Sequence, residues 1–172
     1  MNQTNNHNFM RLASAVAGVL ALAVTATTYA ATTGTTLQVQ ASVAKQCSVT
    51  AVDLNFGAVN PLGGDVDQST TVTVKCTKNS AYNVGLDGGT VSGSVIADRL
   101  MANGADTMRY QLYSDAGRSS VWGNSAPSWV GGTGAGMGTG QALTVYGRVP
   151  TGQTNLAVGS YAEPTITVTV TY

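Results

Sequence analysis

Leu37-Gln38-Val39-Gln40-Ala41-Ser42-Val43 is the stretch on which the reading of this chain turns. Apolar and polar residues alternate strictly, so an extended backbone puts Leu37, Val39, Ala41 and Val43 on one face and the amides and hydroxyl on the other. Such a strand needs a sheet to lie in. Its only upstream neighbour is the pliable run Thr32-Thr33-Gly34-Thr35-Thr36, so the sheet can belong to its own body or to another molecule. Periodicity alone leaves both open.

The residues before it read as a secretory leader over 1–30. A polar start with Arg11 precedes an apolar run from Leu12 to Val24, then small residues lead to an expected cut after Ala30, with Ala26 and Ala31 as neighbouring alternatives. The apolar run is about thirteen residues, short of the roughly twenty that span a bilayer. Export gives Cys47 and Cys76 a meaning, because two cysteines in an oxidising compartment read as one disulfide. Closing that loop of about 29 residues removes roughly 3–4 kcal/mol of freedom from the unfolded chain. Two buried free thiols are the alternative. A zinc site lacks ligands, since the single histidine, His7, lies in the leader.

The remainder, a 31–46 extension and a 47–172 body, is all-β in pattern. Period-two runs recur at Thr71-Val72-Thr73-Val74-Lys75-Cys76, Tyr82-Asn83-Val84-Gly85-Leu86, Met108-Arg109-Tyr110-Gln111-Leu112-Tyr113, Leu143-Thr144-Val145-Tyr146-Gly147-Arg148-Val149 and Thr165-Ile166-Thr167-Val168-Thr169-Val170-Thr171-Tyr172. Turn signals such as Asn60-Pro61, Asp87-Gly88-Gly89 and Asn103-Gly104 separate them, which predicts a sandwich of short strands. Pro164 cannot donate to a ladder, so pairing of the last run is expected to begin after it. The glycine-rich run 131–140 reads as a mobile surface loop. With strands at both ends and none to spare between them, head-to-tail completion between copies is the simplest arrangement, and one that grows into a fibre.

Composition narrows the function. Eight Lys and Arg balance eight Asp and Glu at 9% charged residues, which gives no basic footprint for nucleic acid. No histidine-dependent triad is available outside the leader, and 131–140 lacks the Lys-Ser/Thr ending of a phosphate-gripping loop. No catalytic residue, cofactor or metal site is expected. Asp98-Arg99, Asp106 with Arg109 and Asp115 with Arg118 read as solvated pairs. Phe56-Gly57 and Trp122-Gly123 read as core aromatics followed by bends, with Trp122 and Trp129 as an alternative sugar-contacting pair.

The ordered pieces Cys47-Ser48-Val49, Leu54-Asn55-Phe56-Gly57, Val72-Thr73-Val74-Lys75-Cys76, Arg99-Leu100-Met101-Ala102-Asn103-Gly104, Tyr110-Gln111-Leu112-Tyr113-Ser114-Asp115-Ala116, Val121-Trp122-Gly123, Tyr146-Gly147-Arg148-Val149, Gly159-Ser160-Tyr161 and Val168-Thr169-Val170-Thr171-Tyr172 are similar to the spore coat protein U domain family, which includes the pilins of archaic chaperone-usher pili. The resemblance implies an incomplete immunoglobulin-like sandwich completed by a donor strand from a neighbouring subunit. It implies a periplasmic chaperone and an outer-membrane usher as partners, related pilins as neighbours, and a cell-surface pilus supporting attachment and biofilm formation. Carried over, Leu37, Val39, Ala41 and Val43 are the donor residues and Cys47 with Cys76 the disulfide. Ile166, Val168 and Val170 line the acceptor groove, with Tyr172 near the chaperone contact. The alternatives are a non-polymerising secreted or coat protein of the same fold, and a small lectin-like adhesin.

Overall fold

Two β-sheets built wholly from antiparallel pairs carry the chain, with no helix among the described residues of this computed structural model, which describes 28–172. All but the last three residues of the expected leader lie outside that range. The chain divides between Gln40 and Ala41 into two units. In the first, 28–40 has no regular secondary structure and is exposed throughout.

The second unit holds eight strands: β1 (Cys47–Ala51), β2 (Val66–Cys76), β3 (Ala81–Leu86), β4 (Arg99–Asn103), β5 (Asp106–Tyr113), β6 (Val130–Thr133), β7 (Gln141–Val149) and β8 (Val168–Thr171). One sheet runs β1-β2-β7-β5-β4 and the other β6-β3-β8. Alternation decides which side chains enter the core. Val72, Val74, Val145, Val149, Met108, Tyr110 and Leu112 come from the larger sheet, and Tyr82, Val84 and Leu86 from the smaller. Trp122, 1% exposed, fills the space between them from a loop and donates its indole N–H to the Val84 carbonyl at 2.9 Å. Phe56 packs edge-on against Tyr110, and Gly57 behind it has φ +71°, a bend that suits a residue without Cβ.

The disulfide is formed. Cys47 and Cys76 are register partners at the first rung of the β1–β2 ladder and are bridged. Thr77 just beyond them accepts from the Gln46 N–H at 3.0 Å through its hydroxyl and donates its own N–H to the Gln46 carbonyl at 2.9 Å. The extension therefore leaves the body at a pinned point.

Two expectations are corrected and one is narrowed. The last run pairs after Pro164, with its ladder starting at Val168: β3 ends at the partner Leu86, the Asp87 N–H reaches the Thr167 carbonyl at 3.2 Å, and the Thr167 N–H goes to the Asp87 carboxylate at 2.9 Å. The glycine run is no free loop: Gly131–Thr133 belong to β6, and Gly134 donates to the Ser80 carbonyl at 2.7 Å and accepts from the Asn79 N–H at 2.9 Å. The solvated pairs also differ. Arg109 meets Asp98 at 3.4 Å, Arg118 meets Asp67 at 3.1 Å, and Arg99 is fully buried.

Candidate functional site

The smaller sheet has three strands against five, so part of the larger sheet's inner face lacks a cover. The result is an open apolar groove of about 1030 Å³. Its floor is Val72, Val145, Leu112, Tyr110 and Met108, one wall is the chain from Ala51, the last residue of β1, to Val59, and the other is 156–168, which enters β8. Both walls are irregular, and each is fixed by a specific contact.

The first wall crosses the larger sheet at Gly147. A Cβ there would lie 2.5 Å from the Leu54 Cδ2 and 2.9 Å from the Phe56 Cζ, so the absent side chain is what lets this wall lie flat on the floor. The second wall is held by Glu163. Its carboxylate accepts the N–H groups of Thr90 at 3.0 Å, Val91 at 2.9 Å and Thr165 at 3.0 Å, and the Thr90 hydroxyl at 2.7 Å. Burial alone would raise its pKa, but the donors from Val91 and Thr90 outweigh it and hold the carboxyl below its usual range. Asp87 behaves likewise: burial opposes ionisation, and donors from Thr167 and Gly89 overcome it. Ala102 and Ala162 exchange backbone hydrogen bonds at 2.9 and 3.0 Å and tie the wall to the edge strand β4.

Arg99 ties down the end of β3, whose Leu86 lines the groove. It donates through Nε to the Asp87 carbonyl at 2.9 Å and through Nη2 to the Leu86 carbonyl at 3.1 Å and the Trp122 carbonyl at 2.7 Å, with Nη1 on the Gln111 amide oxygen. These carbonyls end β3 and begin the Trp122 turn, so one guanidinium fixes where the smaller sheet stops. Tyr110, its register partner on β5, has its phenol pKa pushed up by burial.

The sequence-predicted residues divide in their placement. Ile166 and Val168 are half-buried groove residues, Val170 is half-buried against the core opposite Val84, and Tyr172 is 52% exposed. Leu37, Val39 and Val43 are 87%, 83% and 86% exposed, Ala41 is exposed too, and the segment forms no ladder. Trp122, one of the two aromatics of the sugar-contacting alternative, is buried in the core and presents no face to a ligand. The sequence reading missed the strap around Leu156 and Tyr161, where no alternation marks the apolar residues; their one signal is the apolar spacing within a polar run. No group of three or more His, Cys, Asp or Glu side chains fit to hold a metal occurs among the described residues.

A solved structure with a similar fold is a chain of the CsuC-CsuE chaperone-tip adhesion subunit pre-assembly complex from archaic chaperone-usher Csu pili of Acinetobacter baumannii, with a TM-score of 0.55 and 22% identity over 76% of this chain. The match spans 40% of that chain's length. The likeness is one of fold, and with three strands facing five the architecture is that of an incomplete immunoglobulin-like sandwich. Protein U of Myxococcus xanthus is 35% identical over 162 residues, 83% of this chain and 87% of the relative. The model of the Spore Coat Protein U domain matches residues 33–171, and the chain belongs to that family, a structural and non-enzymatic class of protein.

Proposed function

We propose that this chain is a structural subunit of a surface pilus, exported to the periplasm and assembled by donor strand exchange. In this reading the groove of one subunit receives residues 37–43 of the next. A periplasmic chaperone occupies the groove beforehand, and an outer-membrane usher is where the exchange takes place. The resulting fibre supports attachment and biofilm formation.

The observation that carries the reading is a pair of unmet surfaces on one chain: an apolar groove beside the unpaired edge of β8, and an alternating apolar segment left in solvent. Burial of Leu37, Val39 and Val43 at about 1.5–3 kcal/mol each, with less for Ala41, offers roughly 5–10 kcal/mol before association costs. Ladder hydrogen bonds to β8 add to it and cap an edge that otherwise invites non-specific pairing. Exchange must also be tight, because the joint bears load.

Deleting residues 31–43 tests the proposal. The expected result is loss of the ladders seen on unboiled gels with chaperone binding retained, and persistence of the ladders would reject it. The family's coat-protein name and the match to Protein U over 87% of that protein favour a second reading, a secreted coat protein of the same fold without exchange. That reading expects a monomer on the same unboiled gel from the undeleted chain.

A further inference from the structure

The three lysines of this body gather at one end, and most of its acidic residues stand at the other, where Arg109 is paired with Asp98 at 3.4 Å and Arg148 with Asp67 at 2.7 Å. At the end where the extension leaves, the loops and strand ends carry Lys45, Lys75 and Lys78, all exposed, and the stretches 44–50, 73–82 and 133–141 contain no Asp or Glu. At the opposite end, where the groove opens, the stretches 52–65, 103–107 and 150–166 contain Asp53, Asp65, Asp106 and Glu163 and no Lys or Arg. Glu163 is engaged by the groove wall and Asp65 lies 3.2 Å from Arg148, whereas Asp53 and Asp106 make no ion pair among the described residues. Leu62 and Val158, 86% and 103% exposed, stand at this same end.

The register fixes which end is which. Thr171 of β8 pairs with Asn83, three residues after Ser80, whose N–H bonds to Thr77 beside the disulfide, so β8 runs toward the lysine end. Every pair in both sheets is antiparallel. A strand entering beside β8 in the same sense begins at the lysine end and finishes at the acidic one. Only Ala44-Lys45-Gln46 separates Val43 from Cys47. That connection spans at most about 13 Å, and Thr77 holds its last residue. The donor's body must then abut the acceptor's groove mouth, lysine end first. Parallel entry would instead bring two lysine ends together.

We infer that successive copies of this chain meet through a second, charge-matched contact: the end bearing Lys45, Lys75 and Lys78 of one subunit seats on the end bearing Asp53, Asp106, Leu62 and Val158 of the subunit that holds its donor strand. The contact rests on the exchange proposed above. It sets the sense of insertion and the angle between neighbours, while the exchanged strand supplies the hold. Because its charges are exposed, it weakens as salt shortens the screening length from about 10 Å at 0.1 M to about 3 Å at 1 M.

Fibres isolated from cells producing the full chain, treated with a zero-length carbodiimide and digested, provide the test. The expected products join Lys45, Lys75 or Lys78 to Asp53 or Asp106, residues at opposite ends of one body that only two copies can bring together, and their yield falls at least about fivefold at 1 M salt. The exchange Lys78→Glu with Asp106→Lys retains cross-linking, whereas Lys45→Glu with Lys75→Glu and Lys78→Glu loses it. Ladders that form without these products overturn the contact and leave the exchange standing, as do lysines that couple to a different protein. Absence of ladders from the unaltered chain overturns the exchange and the contact with it.

Discussion

Val39→Asp separates the extension's role in assembly from any role in the fold. Val39 is 83% exposed in the single chain, so the substitution removes no packing from the body and its unfolding free energy should stay within about 0.5 kcal/mol of the parent's. In the proposed joint the same position would enter a groove whose floor, Val72, Val145 and Leu112, offers no cation. Loss of valine burial costs about 1.5–3 kcal/mol, and an unpaired carboxylate in that setting costs several more. A total of about 4–6 kcal/mol corresponds to a loss of roughly a thousandfold or more in joint stability, at about 1.4 kcal/mol per factor of ten. Urea denaturation of the chaperone-free monomer reads the first quantity, and ladder survival on gels after graded heating reads the second. Ladders of the Val39→Asp protein that last as long as the parent's would refute the placement of this residue in the groove. A large drop in monomer stability would show that the segment belongs to its own sheet.

Four further outcomes follow from the body itself. Gly147→Ala should destabilise by about 1–3 kcal/mol and loosen the Leu54–Phe56 wall, seen as a lower urea midpoint and faster amide exchange in 52–59. Arg99→Met leaves the Leu86, Asp87 and Trp122 carbonyls without donors and should cost about 2–5 kcal/mol by urea denaturation, with no rescue by Lys, which cannot reach three acceptors in a fork. Glu163 is held below its unfolded pKa, so its stabilisation is complete above the ordinary carboxylate range near pH 4.3 and is lost as pH falls through the lower folded value. Glu163→Gln should therefore lower stability at pH 7 and flatten the acid limb of a stability–pH curve. Cys47→Ala with Cys76→Ala should cost roughly 3–4 kcal/mol, measured by chemical denaturation under non-reducing conditions.

The strands legible in the sequence are those whose apolar positions alternate and whose partners are ordinary: β2, β3, β5 and β7. The others hide for separate physical reasons. In β4 the buried position belongs to Arg99, a charge satisfied by carbonyls, so no hydrophobic period appears. In β6 Gly131 and Gly132 lie against the Asn83 side chain and the Tyr82 ring, so the space a strand residue would fill is taken by the neighbouring strand and the sequence looks like a loop. The last run alternates from Thr165, yet the N–H groups of Thr165 and Thr167 go to the carboxylates of Glu163 and Asp87 rather than to a ladder. The groove is half legible on the same grounds. Ile166 and Val168 belong to a visible period, while the 156–163 wall is shaped by one acidic side chain and a two-residue bridge at Ala102 and Ala162, which leave no periodic trace.

A structure of the assembled fibre, resolved well enough to trace connectivity, bears most directly on the claim that this body is short of one strand and takes it from a neighbour. The account predicts that the strand lying between β8 and the 52–59 wall is residues 37–43 of an adjacent subunit, antiparallel to β8, with Leu37, Val39 and Val43 turned into the groove. Finding that strand continuous with the same subunit's own Cys47, or finding the groove closed by its walls with the extension outside, would contradict it.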